Sequence, residues 1–174
     1  MKKILFLSLS ILMILCSCES KKVYHPTQFP SGVNKQNFSY AIPYSEKNQS
    51  IIVRIRLNNG PQFEGIWDSG CSVPLKISSL EAAVLVNNGT LTASDYIQDL
   101  SLTVANGQKN KYNVYMLKSI SFVDDNGTEH TLTQIPAVID DNVETDILIG
   151  LPVMQALGDS YEISQYDQLI YFKE

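Results

Sequence analysis

The residues of this sequence whose types and spacing could do chemistry are Asp68-Ser69-Gly70-Cys71. Asp68 follows the bulky apolar pair Ile66-Trp67, so its surroundings are expected to be partly buried. A lone carboxylate in such a place is costly unless it is paired, hydrogen-bonded or protonated. Asp68 is therefore either a turn residue that escapes to solvent or a carboxylate held to accept and return a proton. Asp, Ser and Gly are ordinary turn residues, so the loop alone does not choose between the two.

The other reactive side chains offer less. His25 and His130 are the only histidines, and no Cys/His spacing resembles a zinc site. Gly-x-Ser-x-Gly, phosphate-loop and dinucleotide fingerprints are missing, so no metal or cofactor is expected. Cys71 and His130 could form a thiol nucleophile pair, but nothing in the sequence brings them together. An inert, buried Cys71 beside the Asp loop is the expectation. The acidic stretches at 124–127 and 140–142 lack the ligand spacing of a calcium loop and read as solvated turns.

The elements that must position Asp68 are mostly strands. Residues 51–57 form an apolar strand that turns at Asn58-Asn59-Gly60, and residues 62–67 return and deliver the carboxylate. Residues 38–44 alternate with period two and suit an edge strand. A short strand at 73–77 precedes a helix from Ser78, where Glu81 completes a capping-box pattern. Asn-Gly pairs at 59, 88, 106 and 126 punctuate the chain; the pairs at Asn106 and Asn126 each sit between apolar runs, a strong hairpin signal. Strands at 135–139 and 146–150, a helix over 151–158 and a hairpin over 165–168 complete the chain. Short strands with one or two short helices predict a mostly-β barrel or sandwich.

With 174 residues, a net charge of −5 and 44% hydrophobic content, the chain suits one domain with its own core. It has no basic stripe for nucleic acid. Met1-Lys2-Lys3 opens a basic start, and the apolar run that follows is too short to span a bilayer. It ends in Leu15-Cys16-Ser17-Cys18, which resembles a bacterial lipobox. That resemblance implies a lipoprotein signal peptide over residues 1–17, cleavage before Cys18 and acylation of Cys18. Residues 18–36 would be the lipidated cysteine and a flexible tether, with the domain at 37–174. The expected address is the cell envelope of a bacterium, lipid-anchored to a membrane on its periplasmic or surface face. Cys16 would leave with the signal peptide and Cys18 would carry lipid, so Cys71 has no partner for an internal disulfide.

Taken in order, Asp68-Ser69-Gly70, the segment from Thr103 to Asn106-Gly107, Ile135-Pro136-Ala137-Val138 and Ile147-Leu148-Ile149-Gly150 resemble the successive motifs of a retropepsin-like aspartic peptidase, the single-domain form. The resemblance covers residues 40–174 and implies a closed β-barrel-like acid protease fold. It departs from the family at Trp67, Cys71, Pro74 and Lys76, and the stretch between Asp68 and Gly150 is longer than in compact viral members.

The resemblance implies an endopeptidase in which two carboxylates share one water. The chain holds a single Asp-Ser-Gly, so Asp68 would meet the same residue of a second copy in a homodimer. Ser69 would hydrogen-bond between the two loops, and Gly70 would let the backbone approach a peptide substrate. Ser72, Asn106, Gly107 and Gly150 would line or support the substrate cleft, with Asn106 and Gly107 at the tip of a flap and Gly150 letting its strand pass closely behind the Asp loop. Two alternatives stay open: a catalytically inactive lipoprotein on the same scaffold that binds a peptide or an envelope partner, and an unrelated β-sandwich in which Asp68 is only a turn residue.

Overall fold

Two-residue turns in the left-handed region set the first three strands. In this computed structural model, which describes residues 38–103 and 107–174, β1 (Tyr40–Lys47) turns through Asn48 and Gln49, with φ of 51° and 65°, into β2 (Ser50–Leu57). β2 turns through Asn58 and Asn59, with φ of 53° and 54°, into β3 (Gln62–Asp68). Paired positive φ values match the right-handed twist of the strands they join. The second turn thus falls on the Asn58-Asn59-Gly60 stretch expected from the sequence, closed by the Gly60 amide on the Leu57 carbonyl at 2.8 Å. The expected signal peptide, the expected lipidation site Cys18, the expected tether up to residue 36 and Asn106 lie outside the described residues.

The remaining elements are β4 (Leu75–Ser78), α1 (Ser79–Asn87), β5 (Tyr96–Thr103), β6 (Lys109–Val123), β7 (Glu129–Asp140), β8 (Ile147–Gly150), α2 (Leu151–Ala156), β9 (Ser160–Ser164) and β10 (Leu169–Lys173). α1 begins as its sequence predicts. The Leu80 amide donates to Ser78 Oγ at 3.1 Å, and the Ser78 amide donates to Glu81 Oε2 at 2.9 Å. α2 stops before Gly158, where a Cβ would lie 2.7 Å from the Lys173 carbonyl oxygen.

Six strands close into a barrel in the order β6-β7-β4-β8-β3-β2, because β2 also pairs with β6 through Arg56↔Ser121 and Leu57↔Ile120. Alternation fills its interior. Val53, Ile55 and Leu57 point in while Arg54 and Arg56 point out, and Leu75, Ile77, Leu117, Ile120, Phe122 and Ile149 are fully buried around them. Removing side chains of this size from water supplies the main drive to fold.

β1 is not an edge strand as its sequence suggests. Residues 40–43 pair with β10 and residues 44–47 with β2, so both partners are satisfied in turn. Pro43, which has no N–H to give a ladder, stands at the handover. The outer strands of the sheet are β5 and β9.

The long β6–β7 hairpin serves the barrel with one half and β5 with the other, and its ladder skips a pair between Leu117↔Ile135 and Ser119↔Thr133. Gln134 takes φ of 58° there. Asn58, 5% exposed, fills the break: its Oδ1 accepts from the amides of Lys118 at 2.7 Å and Ser119 at 3.2 Å, and its Nδ2 donates to the Thr90 carbonyl at 2.9 Å. Asn58→Ala orphans two backbone donors and puts a Cβ residue of poor left-handed tolerance in the turn. It should cost about 2–4 kcal/mol in urea unfolding; a loss below about 1 kcal/mol would show that the bend holds without the amide.

Candidate active site

Asp68 ends β3 beside β8, which runs parallel to it in the register Gly65↔Ile147 to Asp68↔Gly150. β8 also pairs antiparallel with β4 through Leu75↔Ile149. The strand entering the Asp loop and the strand leaving it therefore flank one central strand, and the loop arches over that strand's end. Two glycines permit this. A Cβ on Gly65 would lie 3.0 Å from the Ile149 side chain. A Cβ on Gly150 would lie 1.8 Å from the Val73 carbonyl oxygen, so the loop backbone rests directly on Gly150. The Gly150 amide donates to the Pro74 carbonyl and the Leu151 amide to the Cys71 carbonyl, both at 3.0 Å, tying the start of α2 to the loop.

Inside the loop, the Gly70 amide donates to Asp68 Oδ1 at 2.9 Å and the Cys71 amide to the Asp68 carbonyl at 3.1 Å. Asp68 Oδ2 has no hydrogen-bond partner among the described residues. The carboxylate is half-buried, while Ser69, Gly70 and Ser72 are exposed. One oxygen is thus held and the other presented, the arrangement a proton-transferring carboxylate needs. The Ser69 hydroxyl likewise has no partner among the described residues. Gly70 also leaves room for the carboxylate: a Cβ there would sit 3.2 Å from Asp68 Oδ1.

Trp67 turns away from the loop into the core. It is 7% exposed and meets the rings of Phe122, Tyr161 and Phe172 edge-on, with centroids 6.4, 5.8 and 5.9 Å away. Cys71 is half-buried, and its Sγ lies 3.5 Å from the Val73 carbonyl. Burial pushes its thiol up, more than the Val73 hydrogen bond and nearby Lys76 pull it down, so it stays protonated. His130 is engaged elsewhere. Its Nε2 is 2.9 Å from Asp124 Oδ2 and its ring stacks on Tyr40 at 3.7 Å. Burial, aided by Glu174 and Asp124, pushes the Tyr40 phenol up to about 12, and its hydroxyl donates to the Leu157 carbonyl.

The two acidic turns are not simply solvated. Asp124 is buried, and its Oδ1 accepts from the amides of Asn126 and Thr128 at 2.9 and 2.8 Å. Asp140 Oδ2 lies 2.7 Å from Lys76 Nζ. Burial alone would raise the Asp140 carboxyl, but the Lys76 ammonium and the Asn142 amide outweigh it and hold the group below its ordinary range. No group of three or more His, Cys, Asp or Glu able to hold a metal occurs among the described residues.

The β5–β6 hairpin forms an arm whose turn contains Gly107, exposed and at φ of 83°. Leu100, Leu102, Tyr112 and Val114 of this arm pack with Val138 and with Val73, which comes from the Asp loop. The arm thus rests on the loop. Sequence reasoning did not single out Val73; it read Asp140 only as part of a solvated acidic turn and Lys76 only as a departure from an apolar or small position, and that misfit was the visible signal.

No family model matches the sequence, and no curated protein matches it significantly. Among solved structures, a crystal structure of a retropepsin-like aspartic protease from Rickettsia conorii superposes with a TM-score of 0.51 at 18% identity, covering 75% of this chain and 87% of that one. The chain has the retropepsin-like fold. The Asp68 loop and Gly150 lie at the joined ends of β3 and β8, and the β5–β6 arm packs in one apolar cluster with Val73 of that loop.

Proposed function

We propose that this protein is an aspartic endopeptidase, anchored to a membrane face by lipid on Cys18, that works as a homodimer. The observation that carries the reading is the Asp68 carboxylate: Oδ1 is pinned by the Gly70 amide, Oδ2 is open, and the loop is seated on Gly150 in a retropepsin-like fold. Two such carboxylates about 3 Å apart cannot both ionise, so the pair holds one proton. The ionised partner takes a proton from a bound water, which attacks the peptide carbonyl. The protonated partner donates to the carbonyl oxygen, and the leaving amine then recovers a proton.

The second carboxylate belongs to a second copy. β9 has one edge with no strand partner among the described residues, and its Tyr161 packs against Trp67 next to Asp68, which makes this edge a suitable place for the copies to join. Ser69, without a hydrogen-bond partner among the described residues, would bond across the two loops. Confinement on a membrane raises the effective concentration of protomers and supports a dimer that is weak in solution.

The unusual Trp67 and Cys71 do not weigh toward an inactive binder. Trp67 fills the core, and the Cys71 thiol turns to Val73. Incubating the full chain with a peptide library across acid and neutral pH tests the reading. Expected are internal cleavage and a specific activity that falls on dilution below the dimer constant. Clean folding with no cleavage at any pH would replace the peptidase by the peptide-binding alternative. Cleavage whose specific activity is independent of dilution would remove the dimer.

A further inference from the structure

Lys76 stands on β4 just beyond the Asp loop, between Leu75 and Ile77, whose side chains enter the barrel. Lys76 takes the opposite face, where the β5–β6 arm lies. Its Nζ is 2.7 Å from Asp140 Oδ2 and 5.7 Å from the centroid of the Tyr112 ring on the arm. The two charged side chains are each only 17% exposed. Asp140 is itself fixed, since Oδ1 accepts from the Asn142 amide at 3.0 Å and Oδ2 from Thr145 Oγ1 at 3.4 Å. A half-buried ion pair adds little net stability against its desolvation, so its effect is better sought in geometry. An ammonium held near an aromatic face attracts that face, and Tyr112 is one of the buried residues of the cluster against which the loop's Val73 packs.

We propose that Lys76 is a positioning residue: clamped by Asp140, its ammonium draws Tyr112 down and sets how closely the β5–β6 arm sits on the Asp loop. The catalytic consequence rests on the peptidase reading; the mechanical link does not. With the arm seated, a peptide is held between arm and loop. With it loosened, binding weakens while the carboxylate chemistry is unchanged.

The test compares wild-type full chain with Lys76→Met, which keeps the stem, and Lys76→Arg, which keeps the charge. Hydrogen exchange of the amides of residues 97–102 and 110–114 should be about ten-fold faster in Lys76→Met and near wild type in Lys76→Arg. Exchange in β9 and β10 should not change. If the wild type cleaves peptides, KM should rise about ten-fold in Lys76→Met with kcat within about two-fold. Tyr112→Leu should loosen the arm equally, and adding Lys76→Met to it should do nothing more. Unchanged arm exchange, a uniform rise throughout the domain, or additive effects of the two variants would overturn the link. Failure of the wild type to cleave any peptide would sink the peptidase reading alone, because the exchange measurement still decides the clamp.

Discussion

Gly150→Ala should unfold the domain or force the Asp loop off its seat, at a cost of about 4 kcal/mol or more. Gly150 has φ of −90° and ψ of 170°, which any residue adopts, so the demand is for space and not for conformation. The added Cβ would fall 1.8 Å from the Val73 carbonyl oxygen, 2.8 Å from that of Cys71 and 3.0 Å from the Val73 carbonyl carbon. All three are backbone atoms, so no side chain can swing aside. Relief requires the loop to rise, which breaks the bonds from the Gly150 and Leu151 amides to Pro74 and Cys71. Gly127→Ala is the matched control. That residue has φ of 85° with nothing within 4 Å of a Cβ, so it should lose only about 1 kcal/mol. Urea unfolding of both variants decides the matter, and a Gly150→Ala loss no greater than the control's would mean that the loop does not rest on β8.

Asp68→Asn should leave the fold intact and abolish peptide cleavage, by about a thousand-fold or more in kcat. The amide oxygen of Asn can still accept from the Gly70 amide as Asp68 Oδ1 does at 2.9 Å, so stability should move by less than about 1 kcal/mol. Lost is the group that takes and returns the proton, and an amide cannot replace it at any pH. The homodimer makes a sharper demand. Because each active centre needs a carboxylate from both copies, mixing wild type with a large excess of Asp68→Asn should silence the wild type as mixed dimers form. Cleavage that survives in the variant would remove Asp68 from the chemistry. Additive activity in the mixture would mean that each copy works alone.

Acidic residues outside the loop were hardest to read because their partners are remote in the chain. Asp140 and Lys76 look like a turn acid and a misplaced base until parallel pairing of β4 with β7 sets them side by side. Asp124 and His130 are close in sequence, yet nothing local says that Tyr40 will cover them. The edge placement of β1 failed for a related reason. Alternation reveals which residues face inward, but which strands lie on either side depends on how the whole sheet closes.

The sequence by itself determined what acts over a few residues: the inward and outward faces of β2, the Ser78–Glu81 cap, the left-handed turns at the asparagines, and the delivery of Asp68 onto a Ser-Gly loop. Those follow from backbone sterics and short-range hydrogen bonds. Only the tertiary structure decided that β8 runs between β3 and β4, that Gly150 lies under Val73, and that Lys76 is clamped beneath Tyr112. These depend on barrel closure, which brings distant segments to contact distance, and no local pattern encodes the register in which they meet.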